Sequence, residues 1–383
     1  MNFDFSADQE SIRQTVRDFA SREIAPHARH VDETGEFPAA TFRKMGAAGL
    51  MGINIPTAYG GAGADSISAA LAVEEVARAC GSTALAYAAH TGLGSAPILQ
   101  FGTEEQKQRF LKPAAEGRVI AAFGLTEPQA GSDAGATRTT ARLDHGEWVI
   151  NGAKMWITNA PVAGHVIITA VTNPQQGKGI SAIIVPRGTP GMSFDKPVPK
   201  MGLHGSAGTA ITFEDARVPQ ENLLGVRGRG LSQFLSALDG GRISIGAMAI
   251  GLAQAAYEAA VAYARERETF GKPIGAYQSV SNMVADMAVG LDAARLLVYR
   301  AAWLKDQGRP FSKDAAVAKL YASEVGEKIC RDAIQIFGGY GYSQECPVER
   351  YYRDQRLLTI GEGTSEILRM VIGRHVLGPI VGS

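Results

Sequence analysis

Apolar positions fall at helical spacing near the start of the chain, alternate in its middle, and return to helical spacing over the last third. Ile12, Val16 and Phe19 recur three and four apart until Pro26 stops the pattern. Ser6 followed by Gln9 forms a capping box with Phe5 placed as a staple, and Thr103 with Gln106 repeats the signature. Between them, 66–79 and 82–100 are Ala-rich and read as helices. From about residue 119 the period becomes two. Runs at 119–125, 147–150, 165–171, 180–185 and 209–213 are β-branched or alternating, and Gly, Pro, Asn and Asp separate them. Asp144-His145-Gly146 reads as a hairpin turn. No helical run alternates with these strands, so an antiparallel β-barrel or sandwich is expected rather than a Rossmann sheet. Amphipathic stretches at 231–267, 278–307 and 313–337 are long enough for a four-helix bundle. The expected fold is thus α+β in three domains: helical over 1–118, a barrel over 119–228, and a helical bundle over 229–383.

Composition narrows the function by exclusion. The 383 residues carry 38 basic and 38 acidic side chains, and apolar residues make up 45 %. A neutral globular chain of this kind does not call for nucleic acid or an anionic membrane as partner. Three cysteines without metal-clip spacing point to a reducing compartment, a bacterial cytoplasm or a processed matrix protein of mitochondria. The N-terminus lacks a charged-then-apolar signal pattern. The apolar stretch 243–264 is interrupted by Gln254 and Glu258, and reads as a buried helix, not a membrane span.

Familiar catalytic sets are absent. The seven histidines form no zinc pattern, no nucleophile elbow occurs, and Gly338-Gly339-Tyr340-Gly341 does not sit between a strand and a helix. Three segments remain. Gly124 through Asp133 follows an apolar strand with small residues and hydroxyls, which suits either a long turn or a loop against a ring or phosphate. In 154–159, Trp156 and Thr158 alternate and share a strand face, which suits sheet packing or a planar cofactor. In Gly361-Glu362-Gly363-Thr364-Ser365-Glu366, Thr364 or Ser365 as cap and Glu366 in the first turn explain a helix start. They leave unexplained an acid between two glycines, open to an approaching substrate.

Taken together, these segments resemble the acyl-CoA dehydrogenase family over nearly the whole chain. Leu125-Thr126-Glu127-Pro128 through Gly131-Ser132-Asp133, the run 154–159, Arg267 to Lys272, Gln335 to Gly339, and Glu362 to Glu366 carry the likeness. It implies FAD as cofactor. Phe123, Leu125, Thr126 and Ser132 would line the flavin, with Trp156, Ile157 and Thr158 at its reactive edge. Arg267, Thr269, Phe270, Gln278, Gln335, Ile336, Phe337, Gly338 and Gly339 would hold the pyrophosphate and adenosine of FAD bound mainly by a neighbouring subunit. Thr364, Ser365 and Glu366 would also reach the cofactor. Ser132, Asp239, Arg242 and Gly363 would face the acyl-CoA, and Glu362 would remove its α-proton. Some relatives carry the base on the bundle helix instead, where this chain has Gly241. Gly361 replaces a tyrosine common among relatives. The resemblance further implies electron-transfer flavoprotein as acceptor and a homotetramer. The run Ala84 to His90 is similar to that of short-chain and branched-chain members, so a short- or medium-chain acyl-CoA is the expected substrate.

Overall fold

The computed structural model describes residues 3–173 and 179–378. Helix α1 (Ala7–Glu23) opens on the expected capping box: the Gln9 N–H donates to Ser6 Oγ at 3.2 Å, and the Ser6 N–H to Gln9 Oε1 at 2.9 Å. Helix α2 (Ser66–Ala79) is capped by Asp65, which accepts from the Ser68 N–H at 2.7 Å. The Ala-rich run that follows departs from a plain helix. It starts as α3 (Gly81–Ala88), widens to π-winding over Ala89–Ser95, and ends over Ala96–Phe101. His90 anchors the widened turn: Nδ1 accepts the Ala121 N–H at 3.0 Å, and Nε2 faces the Met51 carbonyl at 3.2 Å. Burial lowers this imidazole to about 4, so it is neutral and its proton sits on Nε2.

The middle region is a sheet of β1 (Ile120–Gly124), β2 (Thr140–Asp144), β3 (Glu147–Thr158), β4 (Ala163–Asn173), β5 (Gly179–Pro186), β6 (Met192–Phe194), β7 (Gly208–Pro219) and β8 (Leu223–Leu224). Its order is β6-β7-β3-β2-β4-β5-β8, with β1 added on β4. Two features correct the expected antiparallel barrel. Strands β1 and β2 both pair with β4 in parallel, and no pairing among the described residues joins β6 to β8. Hydrophobic alternation reports which face a residue occupies and not which way the strand runs. The loop 125–139 brings the chain back so that β2 repeats the direction of β1. The β2–β3 hairpin is as expected, with His145 at φ 49° and Gly146 at φ 82° in its two-residue turn. Strands β4 and β5 are apolar almost throughout because both their faces are covered. Ile168, Ile183 and Val185 join one core with Trp148 and Ile150, while Ile167, Ala182 and Ile184 join another with Ile98, Phe110 and Phe234.

Three long helices follow: α4 (Gly230–Glu266), α5 (Gln278–Asp306) and α6 (Ser312–Phe337), then α7 (Val348–Arg356) and α8 (Ser365–Leu377). By length and hydropathy α4 could cross a bilayer, yet 67 % of its most apolar window is buried within the protein. Its glycines let neighbours approach closely. A Cβ on Gly251 would stand 2.2 Å from the Glu74 carbonyl of α2, and one on Gly246 2.8 Å from Val298 of α5.

Candidate active site

The short link between α7 and α8 holds its backbone in an uncommon conformation. Glu362 has φ 55° and Gly363 φ 104°. A non-glycine residue at positive φ is costly and persists only where its surroundings enforce it. The helix start next to it is fully explained by Thr364, whose hydroxyl accepts the Ile367 N–H at 3.3 Å. Glu362 is therefore no cap. As a residue it is only partly buried, but its Oε2 is sealed from solvent and has no hydrogen-bond partner. The carboxylate end lies against Gly241 of α4: a Cβ there would stand 2.3 Å from Oε2 and 2.9 Å from Leu93.

Burial raises the Glu362 carboxyl to about 7, against the opposing pull of Lys319 and Arg242. Arg242 is itself buried; it donates to Asp239 Oδ1 at 2.5 Å, and its Nε has no partner. Lys319 on α6 is 0 % exposed and donates to the Gly363 carbonyl at 2.7 Å. Glu362 thus sits as an unsatisfied acid, poised near neutrality, in an apolar-walled recess with two cations in electrostatic reach. Such an arrangement suits a general base.

A second buried network shapes the sheet side. The Lys154 ammonium donates to Glu127 Oε1 at 2.7 Å, Thr169 Oγ1 at 2.9 Å and the Leu125 carbonyl at 3.3 Å. Glu127 also accepts from the Arg138 N–H at 2.7 Å, the Thr139 N–H at 3.1 Å and the Gln129 amide at 2.6 Å. Burial acts to raise the Glu127 carboxyl, but the Lys154 charge and these donors outweigh it and hold it at about 2. Burial lowers Lys154 to about 8 against the pull of Glu127. The pair folds the loop 125–139 back onto β3. The Met155 N–H donates to the Thr126 carbonyl at 2.8 Å, and Trp156 at φ 61° protrudes 56 % exposed. The register of β3 against β7 shifts between Lys154 and Ile157. A bulge, rather than the plain alternation read from the sequence, therefore sets out Trp156. The sequence pattern by itself assigns no role to Glu127, Lys154 or Lys319. The signal for the two lysines was a charge at a register position otherwise filled by core residues.

The other expected residues divide into two groups. Phe123, Leu125, Thr126 and Thr158 are partly buried near the bulge, and Phe123 stacks on Phe234 at 4.0 Å. Ser132 is exposed in the loop, and Ile157 turns its side chain into the sheet core. Asp239 and Arg242 stand on α4 next to Gly241, with Gly363, Thr364, buried Ser365 and exposed Glu366 across from them. Arg267, Thr269, Phe270, Gln278 and Gln335 are all exposed, at the far end of the bundle. There Phe270 is 94 % exposed on a turn with φ 47°, and the Arg267 guanidinium lies over the Tyr340 ring at 5.9 Å. Ile336 and Phe337 are buried, Phe337 stacks on Tyr263 at 4.2 Å, and Gly338 and Gly339 face open space. From Gly241 to Arg267 the straight run of α4 covers about 39 Å at 1.5 Å per residue. This second group is not brought to Glu362 within one chain.

Family models for the acyl-CoA dehydrogenase N-terminal, middle and C-terminal domains match residues 6–118, 122–216 and 228–377. The probable acyl-CoA dehydrogenase YngJ of Bacillus subtilis is 57 % identical over 98 % of this chain and 100 % of its own length. A chain solved in work on the electron transferring flavoprotein of Acidaminococcus fermentans superposes with a TM-score of 0.98 at 45 % identity, covering 99 % of this chain and 100 % of that one. Butyryl-CoA dehydrogenase from Megasphaera elsdenii superposes with a TM-score of 0.96 at 42 % identity, covering 98 % and 100 %.

Proposed function

Because this chain belongs to the acyl-CoA dehydrogenase family, we propose that it is a FAD-dependent enzyme oxidising a short-chain acyl-CoA to the trans-2-enoyl-CoA, with Glu362 as the base. The observation that carries the reading is the sealed, unpartnered Glu362 Oε2 facing the side-chain space that Gly241 leaves free. A carboxylate is a weak base toward a carbon acid in water. Burial raises its proton affinity, and the recess keeps water from competing for it.

The residues present fit FAD. The exposed face of Trp156 offers a flat apolar surface for a ring, and no hydrogen bond within the described protein engages the neighbouring Thr126 and Thr158 hydroxyls. At the far end of the bundle, Arg267, Gln278 and Gln335 are exposed donors beside Gly338 and Gly339, where a backbone can approach a phosphate closely. The first set lies near the start of α4, where Phe123 stacks on Phe234, and the second at its far end, about 39 Å from Gly241. Each FAD would then lie between subunits, with its ring on one chain and its pyrophosphate and adenosine on another. Exposed Phe270, Val289, Leu296, Met370, Val376 and Leu377 supply apolar surface for such an assembly, and a homotetramer fits it.

In the mechanism, FAD when bound supplies the hydride acceptor for the β-carbon. Glu362 takes the α-proton onto its carboxylate. The Glu362 N–H makes no hydrogen bond within the described protein and is free to donate to the thioester oxygen, where charge develops as that proton leaves. Asp239 and Arg242 border the route of the acyl-CoA. Thr91, Gly92, Ile243 and Ser244 line a small pocket beside Gly241 that suits a short acyl tail. Electrons then pass to electron-transfer flavoprotein, in the cytoplasm of a bacterium. Anaerobic titration with butyryl-, isovaleryl-, octanoyl- and palmitoyl-CoA tests the reading. Butyryl-CoA should bleach the flavin fastest, and Glu362→Gln should keep its yellow colour while reduction slows by orders of magnitude. Rapid reduction of the Glu362→Gln variant would remove the assignment.

A further inference from the structure

Lys319 occupies a core register. On α6 it is flanked by buried Ala315, Ala316, Ala318, Ala322 and Ser323, and it is itself wholly buried. An ammonium in such a place is costly unless it is paired or hydrogen-bonded. No carboxylate among the described residues lies within ion-pair distance of it. Its hydrogen bond goes to the Gly363 carbonyl at 2.7 Å, inside the left-handed Glu362–Gly363 turn.

The other charged groups facing this point are already engaged or turned outward. On α4, Arg242 donates to Asp239. On α6, Glu324 pairs with Arg369 of α8 at 2.7 Å. On α8, Glu366 is exposed at the first turn. Lys319 is thus the cation near Glu362 that no other carboxylate neutralises. Burial lowers it to about 8, and the attraction of Glu362 offsets part of that fall.

We propose that Lys319 is a positioning residue for the base: through the Gly363 carbonyl it locks the turn that aims Glu362 at the space beside Gly241, and from the same place it supplies the carboxylate with a stabilising positive field. This rests on Glu362 being the base. The two parts of the role are separable. Arginine keeps the charge with a different reach, while glutamine and methionine remove it and neither carries a donor as far as the Gly363 carbonyl.

The test uses the full-length, FAD-loaded enzyme and its variants Lys319→Met, Lys319→Gln and Lys319→Arg, with binding of FAD confirmed by absorbance. The first readout is infrared titration of the Glu362 carboxyl in the resting enzyme, assigned by its loss in Glu362→Gln. The second is the pH dependence of flavin reduction by butyryl-CoA in a single turnover. Loss of a nearby opposite charge moves a carboxyl upward by about one unit or more. Lys319→Met and Lys319→Gln should therefore titrate higher than wild type, and reduction at pH 7 should fall about fivefold from that shift alone. Loss of the field should show as the shifted midpoint and loss of the lock as a rate deficit that remains at pH 9 in both Lys319→Gln and Lys319→Met, and Lys319→Arg should keep the wild-type midpoint. An unshifted carboxyl in Lys319→Gln, or a uniform rate loss in every variant at every pH, would leave Lys319 as packing alone and overturn the inference. Should Lys319→Met fail to fold, the glutamine and arginine variants still decide it. Normal reduction by Glu362→Gln would instead remove the base assignment, whatever Lys319 does.

Discussion

Gly241→Ala separates the fold from the chemistry. Gly241 lies in the helix at ordinary negative φ, so alanine is compatible with its backbone and favours the helix by about 1 kcal/mol. The added methyl, however, would stand 2.3 Å from Glu362 Oε2, whereas ordinary contact begins at 3.4 Å. The methyl would also stand 2.9 Å from buried Leu93. Both atoms are side-chain ends, so the fold survives, at a cost of about 1–3 kcal/mol of overpacking, by moving the carboxylate about 1 Å. A displacement of that size at a reacting group costs on the order of a hundredfold in rate. The assay is anaerobic stopped-flow reduction by saturating butyryl-CoA, with thermal unfolding measured alongside. Gly241→Ala should keep FAD and melt only slightly below wild type while reduction slows about a hundredfold. Reduction by Gly241→Ala within threefold of wild type would refute the placement of the carboxylate.

Lys154→Met leaves the Glu127 carboxylate buried without its cation and should destabilise the protein by about 3–5 kcal/mol, read as a fall in melting temperature with loss of FAD; an unchanged melting temperature would show that the loop does not depend on the pair. Glu362 has a folded-state proton affinity above its unfolded value of 4.5, so its contribution is fully present below pH 4.5 and is lost as pH rises through about 7. Glu362→Gln should therefore be the more stable protein above pH 7, by an amount on the order of 1–3 kcal/mol that vanishes toward pH 4; equal unfolding curves at pH 8 would contradict the burial of the carboxyl. If each FAD lies between subunits, co-folding Glu362→Gln with Arg267→Glu should recover activity that neither shows alone, because some sites in the mixed oligomer receive both intact contributions. No recovery in a verified mixed oligomer would place the whole cofactor site within one chain.

What could be read from the chain follows the range of the forces involved. The capping box at Ser6 and Gln9, the His145–Gly146 turn and the spans of the three long helices depend on neighbours within a few residues, and they stand where the pattern placed them. The direction of β1 and β2, the π-wound turn at Ala89–Ser95 and the bulge at Trp156 depend on distant partners, and alternation carries no mark of them. The Glu127–Lys154 pair was present within two of the motifs, yet nothing local joins an acid to a lysine on another element.

The site itself is the sharpest case. In the sequence Glu362 stands out as an acid between glycines, and Gly241 as a position where, by the family resemblance, some relatives place their base. Along the chain these are two unrelated places. In the fold, a Cβ at residue 241 would stand 2.3 Å from Glu362 Oε2. A side chain at 241 and the Glu362 carboxylate therefore compete for the same space. Glycine at 241 is thus the steric condition for an acid at 362, and any side chain restored at 241 has to displace the carboxylate before it can coexist with it.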